Sequence, residues 1–362
     1  MSEKNKTYKT KAAGKLFLSG EYAVVEKSMP AIVFAVNRFI YSEIEEIKES
    51  VKIKSDNKNT IILKRSKDET LKLDDLEFTY VIKSINLFEG LLRDLNKERR
   101  NFSLKITSEL FNEQKIKYGL GSSAAVVVSV IKALVLFYDI PLSKMALFKL
   151  AAIVNFKESK KASAADIAAS VYGGMLYFVS FDKAWLESSL KNLSLKSLLN
   201  SKWPDLKIES LKISQEFKIL VGWTKSPAKT KDLVKKVLSN KRENLDFYND
   251  FLLKSQSITN ALAMAIDKGH VKKLEELVNK NRMLLKEFSE IFKMEIETDK
   301  LTKLINLANN YGLAAKTSGA GGGDCGIAVA RNNKNVKLVK KAWQQNGIEV
   351  LDLNIFKENK ND

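Results

Sequence analysis

The stretch Lys117 to Ala125, KYGLGSSAA, decides how the rest of the chain is read. Gly119 and Gly121 flank a single leucine, Ser122 and Ser123 follow, and an apolar run opens with Ala124, Ala125, Val126, Val127 and Val128. This order predicts a tight loop that turns into a helix. The glycines reach φ > 0 and admit a ligand to the main chain, and a serine hydroxyl caps the helix. The N–H groups at the helix start, together with the positive end of its dipole, make a cradle for phosphate. The same residues also suit a helix start with no ligand, so their meaning depends on what else the chain brings to them.

Outward from this stretch, the preceding residues predict a β-rich beginning. Lys11 to Leu18 reads as a strand approaching Ser19 and Gly20, Glu21 to Glu26 runs on towards a turn at Pro30, and Ala31 to Ile47 is again extended. Val51 to Lys54 and Thr60 to Leu63 alternate around the polar turn DNKN, which predicts a hairpin. Apolar residues from Phe78 to Leu95 recur at helical spacing, and Asn101 to Thr107 alternates as a strand. Strand, loop and helix therefore follow in the order a phosphate site requires.

Beyond Ser122 the chain carries no Gly or Pro until Pro141, which predicts a buried helix despite its β-branched residues. A second helix spans Ser143 to Phe156 with Ser143 as its cap, and Ser163 and Asp166 open a short third one that Gly173 and Gly174 end before a strand, Met175 to Phe181. Asp182 to Ser214 reads as a mixed, polar passage between domains. Phe217 to Trp223 is a strand and TKSPAKTKDLV a loop entering a helix. Helices follow at Leu245 to Asp267, Val271 to Phe292 and Thr298 to Tyr311. A glycine loop, Gly319 to Gly323, then leads into a strand, Cys325 to Ala330, with a helix at Asn335 to Gln345 and a strand at Ile348 to Leu353.

The 362 residues are 45% hydrophobic and 29% charged, an ordinary globular balance with length for about two domains. A single cysteine, Cys325, leaves no internal disulfide or cysteine-based zinc site and points to a cytoplasmic protein. The one histidine, His270, sits in a polar turn that suits solvent better than catalysis. The net charge of +18 comes from lysines scattered along the whole chain. Without an aromatic RNA-binding motif, a zinc finger or a basic helix, nucleic acid is not an expected partner. The basic N-terminus runs into Ser19, Gly20 and Glu21 rather than a signal core, and the most apolar run, Ala124 to Phe137, is broken by Lys132. No membrane partner is expected.

Two further segments give the Gly119 loop its meaning: KAAGKLFLSGEY, Lys11 to Tyr22, and KTSGAGGGDCGIA, Lys316 to Ala328. Together the three resemble the ordered motifs of the GHMP kinases, the family of galactokinase, homoserine kinase, mevalonate kinase and phosphomevalonate kinase. No P-loop signature and no HRD catalytic sequence compete with this resemblance. It implies ATP as phosphoryl donor, with Gly119, Leu120, Gly121, Ser122, Ser123 and Ala124 around its phosphates and Ser123 facing Mg²⁺. It also implies Lys15 and Asp166 as the catalytic pair. The familiar PGK reads AGK here, with Ala13 for proline, and Ala162 and Ala164 replace the glycines of GSGxD. Counting back to the acidic metal ligand of related mevalonate kinases reaches Asn155. Asp324 reads as a structural hydrogen-bonding residue.

Within the family, GEYAVVE at Gly20 to Glu26, the lysine before YGLGSS and VGWTKSPAKT at Val221 to Thr230 resemble the branch whose acceptor already bears a phosphate. That implies transfer from ATP to 5-phosphomevalonate, with Tyr22, Lys117, Ser163, Thr230, Ser318, Gly319 and Ala320 around the acceptor. Mevalonate kinase, diphosphomevalonate decarboxylase and a silent metabolite-sensing relative stand as alternatives. The implied fold is α+β, with an N-terminal mixed α/β domain like ribosomal S5 domain 2 at 1–182 and a C-terminal ferredoxin-like domain at 183–362. The expected partner is a small phosphorylated substrate, and the chain is expected to act as a monomer or homodimer.

Overall fold

The computed structural model describes the chain apart from residues 1–5, 57, 66–69, 73–77, 215, 229–232, 234–236, 238–239, 332–334 and 359–362. Its first two strands, β1 (Thr7–Ser19) and β2 (Pro30–Glu46), pair antiparallel along nearly their whole length, with a register shift between Ala13 and Gly14. The extra residues, Asn37 and Arg38, lie on β2. Beside them a Cβ on Gly14 would stand 2.9 Å from Leu110 Cδ2 and 3.0 Å from the Leu120 carbonyl, so glycine lets the Gly119 loop cross β1. The next residue, Lys15, donates its N–H to that carbonyl at 2.9 Å.

Between these strands, Ala23–Val25 forms a 3-10 turn rather than a continued strand. The expected hairpin is β3 (Val51–Ser55) with β4 (Lys58–Leu63), and β5 (Phe102–Ser108) runs parallel to β3 and antiparallel to the second half of β2. The first half of β2 pairs with β6 (Met175–Val179), and β6 pairs in turn with β7 (Lys207–Ser210).

Helix α1 (Thr79–Asp94) and helices α2 (Ser122–Phe137), α3 (Lys144–Glu158) and α4 (Ala165–Tyr172) cover one side of this sheet. Helix α2 is apolar almost all round because it packs on β1 and β2 below and on α1, α3 and α4 beside it. Val128, Val130, Ile131 and Leu134 are all fully buried, each contributing about 1.5–3 kcal/mol of burial. One polar stitch crosses this contact. Thr10 Oγ1 donates to the Ser129 carbonyl at 2.9 Å, and Ser42 donates to the Ser129 hydroxyl at 3.0 Å.

The passage read as an interdomain connection is ordered structure. It holds α5 (Lys183–Asn192), capped by Asp182, and α6 (Leu195–Asn200), capped by Ser194, before β7 joins the first sheet. Lys149 on α3 explains the docking: its ammonium donates to the carbonyls of Leu199 and Ser201 at the C-terminal end of α6. Trp203 is buried beside it, with Nε1 donating to the Leu198 carbonyl. We therefore infer that the domain boundary falls between Ser210 and Phe217 rather than at 182.

The second sheet runs β11 (Glu349–Leu351), β8 (Phe217–Trp223), β10 (Cys325–Arg331), β9 (Ala314–Thr317), all antiparallel. With α7 (Leu245–Asp267), α8 (Val271–Ile291) and α9 (Asp299–Asn310) between β8 and β9, and α10 (Asn335–Gln345) between β10 and β11, this is the ferredoxin-like order. The strand β9 (Ala314–Thr317) lies between the expected helix and the glycine loop, where the sequence assigned no element.

After β11 the chain returns to the first domain. The N–H of Phe356 donates to Ala35, its carbonyl accepts from Gly174, and Ile355 bridges Val36. Glu358 then reaches Lys132 on α2 and Lys144 on α3. Its carboxyl is held below the usual range by these two cations, against the opposing effect of burial. Glu358→Ala leaves Lys132, only 17% exposed, without its carboxylate, so urea unfolding should show a loss of about 1–3 kcal/mol. Glu358→Gln, which keeps an acceptor for Lys132, should lose less.

Candidate active site

Four chain segments converge on one cavity of about 260 Å³. Lys15 and Phe17 enter from β1, Gly119 from the loop before α2, and Ser163 and Asp166 from the start of α4. Ser318 to Gly321 close it from the second domain, with Asn155, Ala228 and Asp324 completing the wall. Expected catalytic residues from positions 15 and 166 thus share a site with the loops at 119 and 319.

The Gly119 loop takes the shape its glycines allow. Gly119 has φ +80° and Gly121 +75°, and Gly121 is itself the N-cap of α2, with no side chain capping the helix. The expected serine cap is thus replaced by a left-handed glycine, and Ser122 and Ser123 form the first turn instead. Open N–H groups at this helix start keep the character of an anion cradle. Leu120 and Ala124 are buried beneath it, where they pack rather than face the cavity. Ser123 lies within hydrogen-bond reach of the Tyr80 hydroxyl, which also feels the charges of Glu158 and Asp166.

Lys15 is placed by both of its neighbours. Its stem lies so close over the Gly119 loop that a Cβ on Gly121 would stand 2.8 Å from Lys15 Cε, and its ammonium sits 5.1 Å from the Phe17 ring centre. Asp166 stands in the first turn of α4, accepting from the Ile167 N–H at 3.0 Å. One of the two alanines that replace the family's glycines, Ala164, is the N-cap at φ +64°, a conformation that disfavours any side chain.

The loop bearing Ser163 is held by residues that sequence reading passed over. Ser180 donates to the Ser163 carbonyl at 2.9 Å. Lys183 donates to the carbonyls of Val25, at 2.6 Å, and Lys161, tying the loop to the turn after Tyr22. Burial holds the Lys183 ammonium down to about 8. The signal for these braces was weak, because a serine and a lysine in a polar stretch look like solvated surface.

Other expected acceptor residues divide. Ser318 lines the cavity, yet its hydroxyl accepts from the Phe17 N–H at 2.9 Å and donates to the Phe17 carbonyl at 2.8 Å. Tyr22 lies behind the glycine loop, packed on Phe288 with its hydroxyl donating to the Ala320 carbonyl, and so supports the site without lining it. Burial raises its phenol well above the ordinary range. Lys117 is exposed and does not line the cavity, its ammonium 5.9 Å from the Phe111 ring centre. Thr230 lies outside the described residues.

Asp324 was read as structural, and the structure adds a place in the cavity wall. Burial raises its carboxyl above the ordinary range, while the Ala228 N–H and the charges of Lys15 and Lys117 oppose that rise. The visible sequence signal was an acid ending a run of three glycines.

The fold agrees with comparison to known proteins. Residues 80–174 match the model of the GHMP kinases N terminal domain and residues 262–349 that of the GHMP kinases C terminal. The crystal structure of the Lin0012 protein from Listeria innocua superposes with a TM-score of 0.92, at 33% identity over 96% of this chain and 98% of that one. Streptococcus pneumoniae phosphomevalonate kinase in complex with phosphomevalonate and AMPPNP superposes at 0.86, with 30% identity over 96% of this chain and all of its own. The phosphomevalonate kinase of Streptomyces sp. (strain CL190) is 29% identical over 98% of both chains. The chain belongs to the GHMP kinases.

Ala164→Gly should stabilise the protein by up to about 1 kcal/mol in denaturant unfolding, since relief of the left-handed strain exceeds glycine's added chain entropy. An unchanged or lower midpoint would show that the alanine methyl, fully buried here, contributes packing of equal worth.

Proposed function

We infer that this protein transfers the γ-phosphoryl group of ATP to 5-phosphomevalonate, giving ADP and 5-diphosphomevalonate. The observation that carries this reading is the convergence of Lys15, Asp166, the Gly119 loop and the Gly319 loop on one cavity between the domains. The phosphomevalonate and AMPPNP held by the pneumococcal relative, at 30% identity, support both substrates.

In this reading the α2 N-terminus and the Gly119 loop hold the ATP phosphates, and the Lys15 ammonium neutralises charge on the group in transit. Lys117, at the edge of the same loop, supplies a cation to the acceptor's phosphate. Ser163, Ala320 and Gly319 supply hydrogen-bonding groups around it, and Thr230 belongs to the same proposed set. The reacting bond forms between an acceptor phosphate oxygen and the γ-phosphorus as the bond to the ADP oxygen breaks.

Magnesium fits this site as an ion carried by the nucleotide. Among the described residues no group of three His, Cys, Asp or Glu side chains gathers to hold a metal. The cavity instead offers the Asn155 amide and the Asp166 carboxylate, with the Ser123 hydroxyl at the start of α2. One or two such oxygens are what Mg²⁺ takes from a protein when phosphates and water fill its other positions. When bound it would offset the charge of the phosphate oxygens.

Among the described residues no helix is long and apolar enough to cross a membrane. An ADP-release assay across mevalonate, phosphomevalonate and homoserine tests the assignment, with turnover expected only for phosphomevalonate. Lys117→Met should raise the KM for that acceptor about tenfold or more, the worth of one charge-assisted contact, while the KM for ATP changes little. Equal loss for both substrates would remove Lys117 from the acceptor's side.

A phosphate monoester has its second pKa near ~6, so at neutral pH the acceptor is already a dianionic nucleophile. Asp166 then orients Lys15 and the acceptor rather than taking a proton. In Asp166→Asn, the residual single-turnover rate should rise through pH ~6 and level above it, following the acceptor's own ionisation. A rate that keeps climbing log-linearly with hydroxide would make Asp166 the base.

A further inference from the structure

Successive side chains of a strand alternate between its faces, so Lys15 and Phe17 on β1 point the same way, while Leu16 and Leu18 are buried behind them. Both Lys15 and Phe17 line the cavity. The turn at Gly121 confines the lysine stem, since a Cβ there would stand 2.8 Å from Lys15 Cε and 3.0 Å from its Cγ. The ammonium itself lies 5.1 Å from the centre of the Phe17 ring, inside the ~6 Å over which a ring face attracts a cation. Among the described residues it forms no ion pair, although Asp166 and Asp324 stand in the same wall. The backbone that carries the ring is fixed from the second domain, because the Ser318 hydroxyl bonds both the N–H and the carbonyl of Phe17, at 2.9 and 2.8 Å.

We propose that Phe17 is a positioning residue, whose ring face holds the Lys15 ammonium in the cavity as an unpaired cation, so that the lysine meets the transferred phosphoryl group already in place. This rests on the reaction inferred above. A carboxylate in the ring's position would neutralise the ammonium and have to release it before it could act on a phosphate. A ring face attracts the charge through its quadrupole and leaves it a full cation. Without the ring, the strongly hydrated ammonium on its flexible four-carbon stem is free to swing towards water or the two acids. Because Ser318 fixes Phe17, the placement of the lysine also depends on the docking of the second domain's glycine loop.

Fluorinated phenylalanines in place of Phe17 separate this role from packing, because each added fluorine drains negative potential from the ring face with little change of shape. Across one, two and three fluorines, log kcat with phosphomevalonate should fall in proportion, reaching about fivefold or more below the wild type at three. The unfolding midpoint should hold, and the KM for ATP should change less than about twofold, because the phosphate cradle of main-chain N–H groups is untouched. Phe17→Leu should lose at least as much kcat as the trifluorinated ring, and Phe17→Tyr, which keeps a ring face, should stay within about twofold of the wild type. Acetylation of Lys15 by an N-hydroxysuccinimide ester, read by peptide mass spectrometry with no substrate present, should quicken through the same fluorine series by about twofold or more. A kcat series that stays flat, with loss only in Phe17→Leu, would make the ring a packing surface and overturn the proposal. Equal losses in Phe17→Leu and Phe17→Tyr would do the same. If the wild type turns over no phosphomevalonate, the proposed function fails, and the labelling series still decides whether the ring holds the lysine.

Discussion

One hydroxyl closes the cleft on which the site depends. Ser318, 301 residues from Phe17 in sequence, bonds both the N–H and the carbonyl of Phe17, so the second domain's glycine loop is registered on the strand that carries Lys15. Two residues upstream, fully buried Lys316 pairs with buried Glu21, and burial pushes its ammonium below the ordinary range against the pull of that carboxylate. Such a pair adds little net stability, since the desolvation of both charges offsets their attraction. Its value lies in being costly to break: neither charge tolerates losing the other, so the two domains have one well-defined alignment here. Tyr22 and Ala320 continue the same seam.

The alignment matters because the Gly119 loop has no room for error. Gly14 lets the loop cross β1, Gly119 lets Asp324 approach from the opposite domain, and Gly121 lets the Lys15 stem pass over it, each at a distance a methyl group would block. These contacts join β1, α2 and the second domain around one turn. The strand β1 is in turn stitched to α2 through Thr10 and Ser129, and α2 to the C-terminal strap through Lys132 and Glu358. Lys15, on β1, thus gains rigidity from elements distributed over the whole chain.

The sequence made legible what depends on local pattern. The extended stretch from Ala31 to Ile47, the unbroken run after Ser122, the Ser143 cap and the glycines at 173 and 174 all appear where residue type and capping chemistry put them. The convergence of positions 15, 119, 163, 166 and 318 was readable only through resemblance, because nothing local brings residues three hundred apart into one cavity. The serine cap failed because a left-handed glycine ended the loop first. The passage from Asp182 to Ser214 was misread because its order comes from elsewhere: Lys149 on α3 holds the end of α6, and β6 supplies the edge for β7. Composition carries no trace of partners so far away.

The charge of the chain gives a last instance of this difference between composition and site. A surplus of +18 suggests a protein that draws anions by its lysines, yet the described cavity wall holds one lysine, Lys15, against two acids, Asp166 and Asp324. Many lysines elsewhere stand in exposed pairs, such as Lys27 with Asp182 or Lys280 with Glu276, where water and salt screen them over about 8–10 Å. What offers anions a close, unscreened partner is therefore backbone: the open first turn of α2 and the loops that glycine lets approach. Backbone N–H groups cannot swing away or lose a proton, whereas a ring of lysines would be mutually repelled and mobile. With the cradle built from main chain, the few cations near it, Lys15 in the wall and Lys117 on the approach to the loop, matter by their placement rather than their number.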